Sequence, residues 1–139
     1  MSMSLVVILV LKGSLDAEAL NKNALELNIP IIYQANIDTD KHSGFYPLKF
    51  KDQKSGFEIY SVSVKELKRK LPLSKHTDIE NGVAYVFSYG HQHNEGASAF
   101  YTAAIMTYSQ KGIAFDMEGG QYMGVEALLK VAKELAKKH

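Results

Sequence analysis

The sequence predicts an α+β fold in which helices pack on a mixed, mainly antiparallel β-sheet. Short apolar runs of strand length alternate with helical stripes along the 139 residues. Two of these runs, 45–51 and 56–62, are separated by a turn-like stretch, which is typical of an antiparallel hairpin. A hydrophobic content of 46% and a charged content of 22% are those of an ordinary globular chain. We therefore predict a single α+β domain over residues 1–139.

The first half of the chain is predicted to contain four strands and two helices. Residues 5–11 are apolar without a break, as in a central strand that is covered on both faces. A helix with Ser14 as its N-cap follows, and a short strand begins at Pro30. After the hairpin, Ser63 and Glu66 have the spacing of a capping box and predict a second, short helix.

The second half is predicted to read strand, helix, strand, helix, over residues 83–89, 97–110, 113–117 and 125–138. If the first two of these strands join one sheet, the helix between them makes a parallel crossover, so both strands end at one edge. We expect the helices to pack on one face of the sheet. The leading elements fit a variant of a ferredoxin-like unit.

Composition excludes several function classes. Sixteen Lys and Arg against fifteen Asp and Glu give a net charge of +1, so no overall field attracts nucleic acid. The absence of cysteine excludes disulfides, thiolate zinc sites and a cysteine nucleophile. The apolar run of residues 5–11 is too short to cross a membrane as a helix and lacks the features of a signal peptide. We expect a cytoplasmic protein with no membrane partner.

The most unusual local feature is a polar loop that contains His91, His93 and Glu95. Two imidazoles and a carboxylate at this spacing could bind a transition metal such as zinc, or act as acid and base in a hydrolase. Asp116 and Glu118 follow the next strand of the crossover. If the crossover is parallel, they would reach the same edge of the sheet and could complete the site.

The same residues also have a purely structural interpretation, which the sequence favours. His93 or Asn94 can cap the helix that follows, and Glu95 can complement its positive end. Asp116 and Glu118 can be solvated acids of a turn. On this interpretation the loop binds no metal, and the sequence requires no cofactor.

Four short segments carry a resemblance to a known class of proteins: residues 44–47, 56–58, 87–90 and 112–118. Together they resemble small bacterial proteins of the immunity type, which neutralise a toxin made by the same cell or its kin. The resemblance spans about residues 5–120. It implies a cytosolic protein that binds another protein and is not an enzyme, and it supplies no catalytic residues.

We therefore expect a non-enzymatic protein-binding module, with a toxin as the partner that the resemblance implies. Charged groups at such an interface favour fast and selective association. The alternative is a small metal-dependent or acid–base hydrolase that uses His91 and His93. The eight tyrosines suit either half-buried sheet positions or a partly wet interface, and a homodimer is a further expected partner arrangement. The expected partner-binding residues are acidic: Asp38, Asp40, Glu95, Asp116 and Glu118.

Overall fold

A computed structural model of the protein describes residues 3–9, 16–34, 43–62, 64–70 and 83–137. Ser63, the predicted cap of the short helix, lies outside these ranges. Ser14 also lies outside them, and its prediction as a cap is wrong, because the first helix begins at Ala17 and Asp16 is its N-cap, accepting a hydrogen bond from the Ala19 amide. None of the helices within them is long and apolar enough to span a membrane. The elements in chain order are β1 (Met3–Leu9), α1 (Ala17–Glu26), β2 (Ile31–Tyr33), β3 (Gly44–Phe50), β4 (Gln53–Val62), α2 (Val64–Lys70), β5 (Val83–Tyr89), α3 (Glu95–Gln110), β6 (Gly112–Asp116), β7 (Gln121–Met123) and α4 (Val125–Lys137).

One seven-stranded sheet organises the fold, in the order β2-β3-β4-β5-β1-β6-β7. The predicted α+β class is confirmed, and every neighbouring pair of strands is antiparallel. Strand β1 lies at the centre between β5 and β6, as its unbroken apolar run predicts. Its side chains alternate between the two faces, with Leu5 and Val7 in one apolar cluster and Val6 and Ile8 in another.

The crossover through α3 has the predicted direction. Strands β5 and β6 are both antiparallel to β1, so they are parallel to each other with β1 between them. In the same way β1 and β4 are parallel and enclose β5. This interleaving of two split βαβ units is the ferredoxin-like arrangement. The hairpin of β2 and β3 extends the sheet on one side, and β7 extends it on the other.

Helices cover both faces of the sheet, so the prediction of helices on one face is wrong for α2. Helices α1, α3 and α4 contribute to the larger apolar cluster, and α3 is buried almost all round between the sheet and α4. Helix α2 lies on the opposite face, where Val64 and Leu67 pack with Val6, Ile8 and Phe115. The predicted short helix is thus present, and its apolar residues Val64 and Leu67 belong to a second, smaller core.

The turn of the β3–β4 hairpin differs from the prediction, which placed it at residues 52–56. The turn consists of Lys51 and Asp52, with φ of 48° and 66°. Two successive residues with positive φ are the type I′ geometry that suits the twist of a hairpin. Gly56 lies within β4, where an added Cβ would be 2.5 Å from the Phe45 ring. The glycine therefore permits close packing of that ring and does not make the turn.

At the α3–β6 junction the left-handed conformation that ends the helix is adopted by Lys111, with φ of 50°, and not by the glycine that follows it. Gly112 begins β6, and a Cβ there would lie 2.5 Å from the carbonyl oxygen of Ile8. Close approach of β6 to β1 is what this position requires. Strand β7 was not predicted, because three residues are too few to show a pattern.

Candidate functional site

The two polar loops predicted to meet do leave the sheet at the same end. Strand β5 ends at Tyr89, which pairs with Met3, and β6 ends at Asp116, which pairs with Leu5. Because both strands end against the first half of β1, residues 90–94 and 117–120 emerge on either side of it. The predicted common edge is confirmed, with β1 separating the two loops.

Asp116 and Glu118 form the acidic side of this edge. An Asp116 Oδ1 atom accepts a hydrogen bond from the Glu118 amide at 3.0 Å, and Glu118 Oε1 accepts one from the Ser4 amide at 3.3 Å. These bonds tie the turn after β6 to the start of β1. Burial, followed by the charges of Asp116 and Glu118, raises the pKa of Tyr89 above its ordinary value, so that its hydroxyl stays protonated further into the alkaline range.

Glu95 lies on the other side of β1 and closes the loop that contains the histidines. Its Oε1 accepts a hydrogen bond from the Gly90 amide at 2.9 Å. The residue before it, Asn94, is the N-cap of α3 but has φ of 57° and makes no side-chain bond to the helix. Capping by the Asn94 side chain is therefore wrong, and the Glu95 carboxylate holds the loop against the end of β5 instead.

The residues proposed as metal ligands do not assemble into a ligand set. His91 and His93 are both exposed. Among the residues that the structure describes, no three side chains of His, Asp or Glu converge closely enough to hold a metal ion. Asp38 and Asp40, the other expected acids, lie outside the described residues.

A cavity of about 1070 Å³ lies beside the β3–β4 hairpin and the first turn of α3. His93 and Glu95 are the predicted site residues that line it, whereas Asp116 and Glu118 do not belong to its lining. The β3–β4 hairpin supplies most of the wall. The first five residues of β4 are not paired with β5, so this end of the hairpin extends past β5 and beside the cavity. The lining residues include Asn21, Gln34, Lys49, Asp52 and Lys54, together with the apolar Ile32, Phe45, Pro47 and Leu48.

Hydrogen bonds fix the inner wall of this cavity. The Tyr33 hydroxyl lies 2.7 Å from Thr102 Oγ1, which donates its own proton to the Ser98 carbonyl at 2.8 Å, so Tyr33 is the donor. Ser55 and Ser98 share a second hydroxyl contact of 2.8 Å. The Asn21 side chain bonds both backbone groups of Tyr33. Burial raises the pKa of Tyr33, so its hydroxyl stays uncharged well above neutral pH and keeps its hydrogen bond to Thr102.

Exposed apolar side chains lie on the face of the sheet opposite the main core. Ile32 is 59% exposed, Phe45 is 52% exposed and Tyr60 is 37% exposed. The strand register places all three on one side, since Ile32 pairs with Lys49 and Phe45 pairs with Glu58. We call Ile32, Phe45, Pro47 and Tyr60 the open face.

Sequence reasoning found neither the cavity nor the open face. A usable indication was present, because Phe45 and Tyr46 are adjacent in a strand and must point to opposite faces. Tyr46 is buried, which leaves Phe45 outside. The opposition of Lys49 and Lys54 would also have followed if the hairpin turn had been placed at Lys51.

Comparison with known proteins adds no assignment. No protein-family model matches the chain, and neither the curated proteins nor the solved structures yielded a match.

Proposed function

We propose that this chain is a non-enzymatic protein-binding module that contacts its partner through the open face. The observation that carries the proposal is the exposure of three large apolar side chains on one side of neighbouring strands, Ile32, Phe45 and Tyr60. Large exposed apolar side chains that share one face of a sheet indicate an interaction site. Aromatic residues in particular contribute strongly to binding when a partner buries them.

Polar groups around the open face support the same interpretation. Lys49 and Lys54 lie beyond one end of the Phe45–Pro47 stretch, and Glu58 accepts a hydrogen bond from the Tyr60 hydroxyl at 3.0 Å. Lys49 is opposite Ile32 and Glu58 is opposite Phe45, so charged groups lie among the apolar ones, and Tyr and Phe beside charged groups are common at protein interfaces. Phe45 also needs little ordering on binding, because its ring already packs over Gly56.

The acidic residues at the end of β6 have an accessory role in this proposal. Glu118 is exposed, and Asp116 is partly exposed. Their charges would speed the approach of a basic partner without forming the centre of the contact. The resemblance to immunity-type proteins supports a toxin as that partner and the bacterial cytoplasm as the location. Self-association through the open face is the competing outcome.

The test is capture of a partner from a lysate of the source cells by tagged variants. We expect the wild-type chain and Leu25→Ser to retain the same protein and Phe45→Ser to lose it. Leu25 is the matched control, since it is 79% exposed on α1 and lies away from the open face. Equal capture by Phe45→Ser and wild type would contradict the proposal, as would the absence of any protein retained by the wild-type chain.

A further inference from the structure

We infer that the cavity beside the β3–β4 hairpin binds a small organic anion, with its charged head between Lys49 and Lys54 and its apolar body against the open face. The head is a carboxylate or a phosphate, the groups for which lysine is a common partner. This site overlaps the open face at Ile32, Phe45 and Pro47, and its dependence on the lysine pair distinguishes it from the proposed protein contact.

The lysine pair is the first argument. Lys49 and Lys54 are directly opposite each other in the register of β3 and β4, and both line the cavity. Like charges in opposed positions of an antiparallel pair are destabilising. Among the residues that the structure describes, neither lysine side chain has an ion-pair or hydrogen-bond partner. An anion between the two ammonium groups would convert this repulsion into two attractive contacts.

The apolar wall is the second argument. Ile32 is opposite Lys49 in the strand register, and Pro47 and Phe45 line the same cavity further along β3. The volume of about 1070 Å³ is slightly above the usual range for small-molecule sites, roughly 300–1,000 Å³. The combination of cations with an adjacent apolar surface favours an amphipathic ligand over an inorganic ion.

The remaining polar groups determine where the head lies. Asp52 and Glu95 also line the cavity and would repel an anion placed beside them. One Glu95 oxygen is already held by the Gly90 amide, and Asp52 lies at the turn of the hairpin. His93, Asn21 and Gln34 offer further donors. The lysine pair is thus the position at which a negative head gains most.

The experiment is a fluorescence titration of the purified chain with anilinonaphthalene sulfonate, followed by displacement with octanoate and with octanol. We expect saturable binding of one probe per chain. Octanoate should displace the probe at about tenfold lower concentration than octanol, because octanol lacks the charge. The titration involves no other protein, so its result is independent of the capture experiment.

Three lysine variants locate the site. Lys49→Gln and Lys54→Gln should each weaken octanoate binding about tenfold. Lys51→Gln removes the same charge from the same hairpin, but Lys51 lies over the Phe50 ring and outside the cavity lining, so binding should change less than about twofold. Circular dichroism of each variant verifies the fold.

Three results would overturn the inference: no saturable binding, equal weakening by all three variants, or equal displacement by octanoate and octanol. If Lys49→Gln or Lys54→Gln fails to fold, the salt dependence of ligand binding to the wild-type chain tests the inference instead. Raising the salt concentration from about 0.05 M to about 0.5 M should weaken its binding of octanoate and leave that of octanol unchanged. Equal behaviour of the two ligands in salt would contradict the inference.

Discussion

The face of the sheet opposite the main core has two halves that differ in what covers them. On β5, β1 and β6, Val6, Ile8 and Phe115 are buried beneath α2. On β2, β3 and β4, Ile32 and Phe45 point to the same side but are more than half exposed. The strands of the two halves belong to one continuous sheet.

This difference shows that strand composition alone does not decide which residues form a core. Ile8 and Ile32 are the same residue type in strands of the same sheet, yet Ile8 is 0% exposed and Ile32 is 59% exposed. The position of α2 makes the distinction, because it shields one half and not the other. The half of the sheet face on β2, β3 and β4 carries exposed apolar side chains that α2 does not shield, so a partner can contact them.

Truncating the two isoleucines should give the largest contrast. We expect Ile8→Ala to lower the free energy of unfolding by about 2–5 kcal/mol, because it leaves a cavity in a fully packed site. Ile32→Ala should lower it by less than about 1 kcal/mol, since the side chain is already largely hydrated. Urea denaturation of both variants measures the difference. Equal losses would show that the open half is also a core.

A methyl group beneath the Phe45 ring should have the next largest effect. In Gly56→Ala the new Cβ would lie 2.5 Å from the Phe45 ring and 2.5 Å from the Tyr46 carbonyl oxygen, so the hairpin must shift. We expect a loss of about 1–3 kcal/mol in urea denaturation. Gly124→Ala is the control, because nothing lies within 4 Å of its added Cβ. An unchanged free energy of unfolding for Gly56→Ala would mean that the Phe45 ring does not pack over Gly56.

Alkaline pH should separate a buried tyrosine from one on the open face. Burial raises the pKa of Tyr33 in the folded chain above its unfolded value of about 10. The stability that depends on a protonated Tyr33 hydroxyl is therefore fully present below about pH 10. It is lost as the pH rises above about 10, and the free energy of unfolding is lower by about 1.4 kcal/mol at pH 11. Tyr33→Phe should reduce the loss of stability between pH 9 and pH 11 by about this amount.

The control for this pH dependence is Tyr60→Phe. The hydrogen bond to Glu58 is the main cause that raises the pKa of Tyr60, and the side chain lies at the surface. Tyr60→Phe removes the Tyr60 hydroxyl, and it should change the loss of stability at alkaline pH much less than Tyr33→Phe does. Urea midpoints across the pH range measure both variants, and a larger effect of Tyr60→Phe would contradict the assigned burial of Tyr33.

Much of the fold could be predicted because it depends on long or strongly patterned segments. The unbroken apolar run identified β1 as central, and the helix between β5 and β6 fixed their parallel direction. The misplaced hairpin turn has a physical cause. Gly56 looks like a turn residue in sequence, but its function is to admit the Phe45 ring, while two non-glycine residues adopt the positive φ values.

The candidate site was less predictable, since it depends on contacts between distant segments. Sequence reasoning placed the loops of His93 and Asp116 at one end of the sheet correctly. It could not show that Glu95 would bond the Gly90 amide, or that His93 would share a cavity with Lys49. The shared cavity follows from the register of β4 on β5, which no local pattern specifies. The Glu95–Gly90 bond spans only five residues and depends on the conformation of the loop between them.

Hydroxyl-radical footprinting of the free chain and of its captured complex tests the central claim most directly, because it reports the exposure of individual side chains. In the free chain we expect strong labelling of Ile32, Phe45 and Tyr60 and little of Ile8. In the complex the first three should become protected, while Leu25 and Tyr108, exposed on helices, stay labelled. Unchanged labelling of Ile32, Phe45 and Tyr60 in the complex would contradict the assignment of the open face as the binding surface.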